Sequence, residues 1–262
     1  MLAFLAPRAI PGVEAVDRDA WIYRRTISID GTPGVLEARD DPEAAAVVLT
    51  VHLDRFDGLV HLVPRVRRFF DLDADPDVID THLARDPFLR TRVRARRGLR
   101  VPGAIDPLEL SVRAVLGQQV SVKAATGFAG RLVTEYGTPI AGLDALGLTH
   151  TFPDATTLAA VDARRFGVTG ARAASIRALA ELAPDLRPSG LEELVTALRA
   201  VPGVGPWTAD YIAMRAFSER DAFPAGDLGL RKALGVKNAV ECAERAQAWS
   251  PWRAYGALQC WV

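Results

Sequence analysis

The chain has 262 residues, with 32 basic and 32 acidic side chains and therefore no net charge near neutral pH. A composition of 49% hydrophobic and 24% charged residues excludes a disordered tail or a fibre. Two cysteines, Cys242 and Cys260, exclude a four-thiolate zinc or iron–sulfur centre and a secreted disulfide framework. No apolar run reaches the roughly 18 residues that a bilayer span needs. The apolar start, MLAFLAPRAIPGVE, lacks a basic n-region and a cleavage site. A soluble, cytoplasmic protein is expected.

The zero net charge hides a segregated pattern. Residues 1–84 hold nine basic and fifteen acidic residues, whereas 85–100 hold seven arginines and one aspartate. Charge separated in this way can still build a basic face for a polyanion.

In chain order, 21–29 and 45–53 alternate and are rich in β-branched residues, with 34–40 between them, so three strands are expected. Asp30-Gly31-Thr32 supplies the hairpin turn between the first two. A helix follows over about 57–70, where Pro64 predicts a kink or a late start. Asp75-Pro76 opens a second helix within 73–85. An arginine-rich segment spans 88–102. Beyond residue 106 the strand signal fades. Helices are expected over 106–117, 121–136, 155–161, 171–182, 190–200, 206–217, 238–248 and 252–261, with breaks at Gly137-Thr138-Pro139 and Ala183-Pro184. The resulting expectation is an α+β N-terminal domain, a small antiparallel sheet with helices over 1–100, followed by an all-α region over 101–262.

The most specific stretch is LEELVTALRAVPGVGPWTADYIAMRAF, residues 191–217. Leu191, Leu194 and Leu198 mark one helix face before Val201-Pro202-Gly203-Val204-Gly205 breaks the helix. Pro206 suits the first turn of the next helix, where its missing N–H costs nothing. Two glycines one residue apart let a backbone approach another molecule closely. Free amides at the start of the second helix are an anion site, suited to one phosphate of a nucleic-acid backbone. On glycine spacing alone, an ordinary tight corner explains the segment equally well.

The flanks favour the first explanation. L-x-x-V-P-G-V-G-P-x-T-A-x-x-I, followed by Asp227 in the Gly/Pro loop of 221–231, resembles the helix–hairpin–helix DNA glycosylase superfamily. FLAPRAI, RFFDLDADPDVI (68–79), GLRVPGAIDPLELSVRAVLGQQVSVKAA (98–125) and WSPWRAYGALQCW (249–261) extend the resemblance along nearly the whole chain. They resemble the AlkA-type 3-methyladenine DNA glycosylases.

The resemblance implies a monofunctional enzyme that flips an alkylated purine from duplex DNA and hydrolyses its N-glycosidic bond, leaving an abasic site. Asp227 falls at the catalytic carboxylate, where a negative charge stabilises an oxocarbenium-like sugar and orients water. By itself Asp227 would read as a helix N-cap. Trp207 stands at the position of the Schiff-base lysine of bifunctional members and cannot attack the sugar, so no lyase step is expected. Phe4 and Trp261 match pocket aromatics of the family. Trp207 and Tyr211, four apart on one helix face, join them. Electron-rich rings attract a cationic purine by cation–π interaction. Leu228 takes the place of a pocket tyrosine, and Gly226 that of a second aspartate.

The same resemblance assigns DNA-backbone contact to Gly203, Val204, Gly205 and Thr208, and the wedge that fills the gap left by the flipped base to Gln119, where the family has leucine. No cofactor is required. A monovalent cation can sit on the backbone carbonyls of Arg199, Val201 and Gly203. The implied partner is double-stranded DNA with alkylated bases, bound by a monomer with no membrane association, of bacterial type and nucleoid-associated when on DNA. Family members are also found fused behind an alkyltransferase-like domain, so a longer polypeptide is compatible with this reading. Two alternatives stay open: a glycosylase of the same fold for oxidised, deaminated or mispaired bases, and a non-catalytic DNA-binding module. His52, His61, His82 and His150 are scattered and suggest no metal cluster.

Overall fold

A computed structural model describes residues 1–54, 59–186 and 188–261. A short helix, α1 (Leu2–Leu5), precedes a four-stranded antiparallel meander of β1 (Glu14–Asp17), β2 (Ile22–Ile29), β3 (Thr32–Asp41) and β4 (Ala46–Leu53), paired in chain order. The β2–β3 turn is set locally. Ile29 pairs with Thr32, leaving Asp30 and Gly31 as the loop, both at positive φ (48° and 77°), as a type I′ hairpin turn requires. β1 was not expected from the sequence. It is four residues long, and its first side chain, Glu14, is buried and accepts hydrogen bonds from the Tyr23 hydroxyl and the Ile10 amide. A buried carboxylate hides the alternation by which a short strand would be recognised.

Four helices follow: α2 (Leu59–Phe69), α3 (Pro76–Leu83), α4 (Pro87–Ala95) and α5 (Pro107–Leu116). α2 runs through Pro64, and the first two positions of the expected 57–70 helix lie outside the described residues. α3 and α4 open identically. An aspartate, Asp75 or Asp86, accepts two amide bonds as N-cap, and proline fills the first helical position. Asp106-Pro107 repeats the device, with Asp106 accepting from the Leu108 and Glu109 amides. The expected arginine-rich segment is therefore largely the helix α4.

α6 (Val122–Tyr136), α7 (Ala155–Leu158), α8 (Ala163–Phe166) and α9 (Gly170–Leu182) come next, and α10 (Leu191–Arg199), α11 (Pro206–Ala216), α12 (Leu228–Leu234), α13 (Ala239–Arg245) and α14 (Arg253–Trp261) complete the chain. The residues group into two compact units, Met1–Leu62 with Val115–Pro184, and Val63–Ala114 with Asp185–Val262. Each unit is assembled from two stretches, so the units interleave along the chain. The first buries Tyr23, Leu36, Leu132 and Val133 around the sheet and α6. The second buries Leu194, Leu198, Ile212, Trp249 and Tyr255 among helices. Trp249 is fully enclosed, and Gly256 is what admits it: a Cβ there would lie 2.4 Å from the indole.

Candidate active site

Asp227 is the N-cap of α12, and its Oδ1 accepts the Leu230 amide at 2.9 Å. The same oxygen accepts the Trp261 indole N–H at 3.0 Å, while Oδ2 accepts the Trp207 indole N–H at 3.1 Å. Both carboxylate oxygens are thus held by N–H donors, which fixes the plane of the group and directs negative charge along one line. The helix-cap reading and the catalytic reading of Asp227 describe one geometry.

The two indoles are supplied by helices from different parts of the second unit. Trp207 lies in the first turn of α11, and Trp261 ends α14, which packs on α12. With their polar edges on Asp227, the indoles are left with their ring faces to offer. Trp207 stacks on Tyr211, centroids 5.4 Å apart and 15° from parallel. Tyr211 and Trp261 lie 6.3 Å apart at 55°. Trp207, Tyr211 and Trp261 are each only partly buried. The result is one ionisable carboxyl set in an aromatic wall that is partly open to solvent.

Leu228 follows Asp227 directly but stays 57% exposed, so it does not close the aromatic group. Gly226 is exposed, and a Cβ there would meet only the Trp207 Cβ, at an ordinary 3.6 Å. Phe4 belongs to the other compact unit, where the Arg8 guanidinium covers one ring face at 3.8 Å. Gln119 belongs to that unit too. It sits exposed in the turn between α5 and α6 at φ 56°, a left-handed conformation uncommon outside glycine and asparagine. Arg172 braces that turn by donating to the Gln118 carbonyl. Trp249 is core, with its indole N–H on Asp86 at 3.0 Å.

The hairpin between α10 and α11 separates its two glycines. Gly203 has φ 80° and needs to be glycine, whereas Gly205 has φ −82°, which any residue adopts. A Cβ at Gly205 would meet nothing within 4 Å, so open space faces this position. The amides of Gly205 and Trp207 donate to no other group among the described residues, and α11 has no side-chain cap. Val204 and Thr208 are buried as whole residues, 6% and 3% exposed, so the open surface of the hairpin is offered by Gly203 and Gly205. The Val201 carbonyl accepts the Val204 amide at 3.1 Å and keeps a second lone pair.

Arg90 donates to the Ala84 carbonyl and Arg97 to Asp77 while both stay exposed, and the partly buried Arg100 donates to the Asp71 and Ala74 carbonyls. Arg94 on α4 and Arg96 just after it are exposed as well, so Arg90, Arg94, Arg96 and Arg97 all lie at the surface. Both cysteines are free, and burial pushes the Cys260 thiol up to about 12, which keeps it protonated and unreactive. Among the described residues no group of three His, Cys, Asp or Glu side chains could hold a metal ion, and no helix is long and apolar enough to cross a membrane.

Residues 1–106 match the family model described as the AlkA N-terminal domain. The chain is 42% identical over 269 residues to the probable bifunctional transcriptional activator/DNA repair enzyme AlkA of Mycobacterium tuberculosis, covering 98% of this chain and 53% of that protein. It therefore spans about half the length of that relative. It is 32% identical over 273 residues to DNA-3-methyladenine glycosylase 2 of Escherichia coli, covering the whole of this chain and 92% of the other. A 3-methyladenine DNA glycosylase structure from Archaeoglobus fulgidus superposes with a TM-score of 0.82, at 21% identity, over 99% of this chain and 91% of that one. At that identity the superposition establishes the fold, α+β at the N-terminus and otherwise helical.

Proposed function

The chain belongs to the AlkA family of DNA-3-methyladenine glycosylases, and we propose that it excises alkylated purines from duplex DNA by hydrolysis at Asp227. The observation that carries the proposal is a carboxylate held on both oxygens by indole N–H groups whose rings form an aromatic wall. Alkylation gives the purine a positive charge. Ring faces attract that charge, by about 0.5–2 kcal/mol per contact. As the bond from C1′ to the base nitrogen breaks, its electron pair neutralises the departing base and cationic character passes to the sugar. Asp227 stabilises that charge and orients the water that adds at C1′, whose proton is then lost. A base that departs neutral needs little general-acid help, so one carboxylate suffices.

The product is an intact strand with an abasic site. At the position where a bifunctional enzyme places its amine this chain has Trp207, whose indole nitrogen donates to Asp227. Duplex DNA is held by the hairpin backbone at Gly203, Val204, Gly205 and Thr208, while Gln119 fills the gap left by the flipped base. The carbonyls of Arg199, Val201 and Gly203 are an all-oxygen set suited to a hard monovalent cation, which would add positive potential beside the phosphate. No other cofactor is required, and a monomer in the cytoplasm fulfils the role.

Methylated duplex DNA incubated with the protein is expected to release 3-methyladenine and 7-methylguanine and to keep unbroken strands. Borohydride added to the mixture is expected to trap no covalent complex. Release of only oxidised or deaminated bases would favour the second reading, to which the exposed Leu228 and the side-chain-free Gly226 lend weight. No release of any base would leave a DNA-binding module.

A further inference from the structure

The stretch GLRVPGAI, residues 98–105, takes no part in the site described above, yet it is tightly held. The Val101 amide donates to Asp71 Oδ2 at 3.0 Å, and the Gly103 amide donates to the Phe69 carbonyl at 2.9 Å. A Cβ at Gly103 would lie 2.3 Å from the Arg68 carbonyl oxygen, so only glycine fits there. Asp71 is itself held by the Tyr255 hydroxyl at 3.1 Å. So anchored, the loop presents the Pro102 carbonyl to the Nε–H of Arg215.

Arg215 lies on α11, one turn after Tyr211, and is 4% exposed. Its Nη1 donates to the Tyr211 hydroxyl at 2.8 Å, with the guanidinium carbon 5.5 Å from that ring's centroid. We propose that Arg215 is a positioning residue of the excision site: it clamps Tyr211 between the Pro102 loop and Trp207, and so holds the aromatic wall in place for the flipped base. This rests on the reading of Asp227, Trp207 and Tyr211 as that site.

A tyrosine in a half-open wall can turn about two side-chain torsions. Stacking on Trp207 restrains the ring, and the bond from Arg215 restrains the hydroxyl at its far end. Trp207 is in turn held by Asp227, so the ring that receives the base and the carboxylate that acts on the sugar share one rigid support. A guanidinium suits this task because its planar fork sends Nε and Nη1 to different acceptors at once, which one lysine ammonium cannot do in the same geometry.

The test compares Tyr211→Phe, Arg215→Met, Arg215→Lys and the Tyr211→Phe/Arg215→Met double variant in the full chain. Tyr211→Phe and Arg215→Met should each raise KM for methylated duplex by roughly three- to tenfold with a smaller change in kcat, and the double variant should be no worse than either single one. Arg215→Lys should fail to rescue. The indole N–H resonances of Trp207 and Trp261, recorded by NMR without DNA, should shift for Trp207 in every variant. A double variant whose losses multiply, or a Trp207 resonance unmoved by Tyr211→Phe, overturns the positioning role. If Arg215→Met does not fold, Tyr211→Phe decides alone, because it removes only the hydroxyl. A wild-type protein that releases no base refutes the excision reading, and the NMR signal then still decides whether Arg215 positions the wall.

Discussion

Gly205→Asp separates DNA contact from folding, because the two should move in opposite directions. Position 205 is the N-cap of α11, at φ −82°, with nothing within 4 Å of a new Cβ and no side-chain cap present. An aspartate there can accept amide bonds from the first turn and meets the positive end of the helix. Capping adds a few tenths of a kcal/mol over glycine and the helix dipole about 0.3–1, so the variant should gain roughly 0.5–1 kcal/mol. For a chain of this size that raises Tm by about 1–3 °C. The same carboxylate consumes the amides that a phosphate would use and repels the phosphate. Losing one such clamp should cost about 1.5–3 kcal/mol, a ten- to hundredfold weaker Kd. The slope of log K against log salt should also fall by about 0.9. Fluorescence anisotropy with two unrelated undamaged duplexes at several salt concentrations, alongside thermal unfolding, measures both quantities. Gly203→Ala provides the contrast: at φ 80° it should destabilise the protein by about 1–2 kcal/mol. If Gly205→Asp binds DNA as the wild type does, the hairpin is a structural corner and the phosphate-clamp argument fails.

Asp227→Asn should lower base excision by a hundred- to thousandfold or more, while affinity for undamaged duplex is kept. Its amide can accept at one oxygen only, so the second indole faces a donor and tryptophan emission should change as well; near-normal release of 3-methyladenine would refute the assignment. Burial raises the carboxyl of Asp86, but bonds from Arg245, Trp249 and the Leu89 and Phe88 amides outweigh it and hold it down to about 2. A depressed carboxyl stabilises the fold above its unfolded value near 3.8 and loses that contribution as pH falls through 2, so about 2 kcal/mol should disappear over that window in urea titrations, and Arg245→Ala should reduce this dependence without abolishing it, since Trp249 and the two amides remain. Asp210 is the opposite case, pushed up to about 6 by burial against the pull of Arg253 and Arg199. Its ionisation opposes folding above pH 6, so Asp210→Asn should stabilise the protein by about 2 kcal/mol at pH 7.5 and by almost nothing at pH 4.

Much of the fold was legible where a local device sets it. Asp30-Gly31 dictates its hairpin, and Asp75-Pro76 its helix. The same Asp-Pro signal stands at residues 86 and 87, yet α4 went unread, because its apolar face is little more than Leu89 and Val93 amid arginines. β1 was invisible for a related reason: it exists by pairing Glu14–Asp17 with Ile22–Arg25, a partnership that no periodicity within four residues announces. In the site, Asp227, Trp207, Tyr211 and Trp261 were each singled out, but not the bonds that join them. Indole donors that converge on one carboxylate from α11 and α14 are a product of packing, which spacing along the chain does not encode. Arg215 was missed altogether. Its signal was a lone arginine among Ile212, Ala213, Met214, Ala216 and Phe217, where a solvated charge has no business.

The position of Asp227 also accounts for which neighbours are free to differ from the family pattern. As an N-cap, the carboxylate is oriented from within its own helix by the Leu230 amide, and from outside by Trp207 and Trp261. None of these three supports comes from the residues that flank it. Gly226 contributes no side chain and Leu228 faces solvent, so either can change without loosening the carboxylate. Gly229 has no such freedom. A Cβ there would lie 3.0 Å from Asp227 Oδ1 and 3.5 Å from the Trp261 ring, pressing on the bond that joins them. On the proposed function, the carboxylate that acts at C1′ is supported by the cap, by room at Gly229 and by the two indoles, whereas residues 226 and 228 can differ, and with them the bases accepted, without disturbing that support.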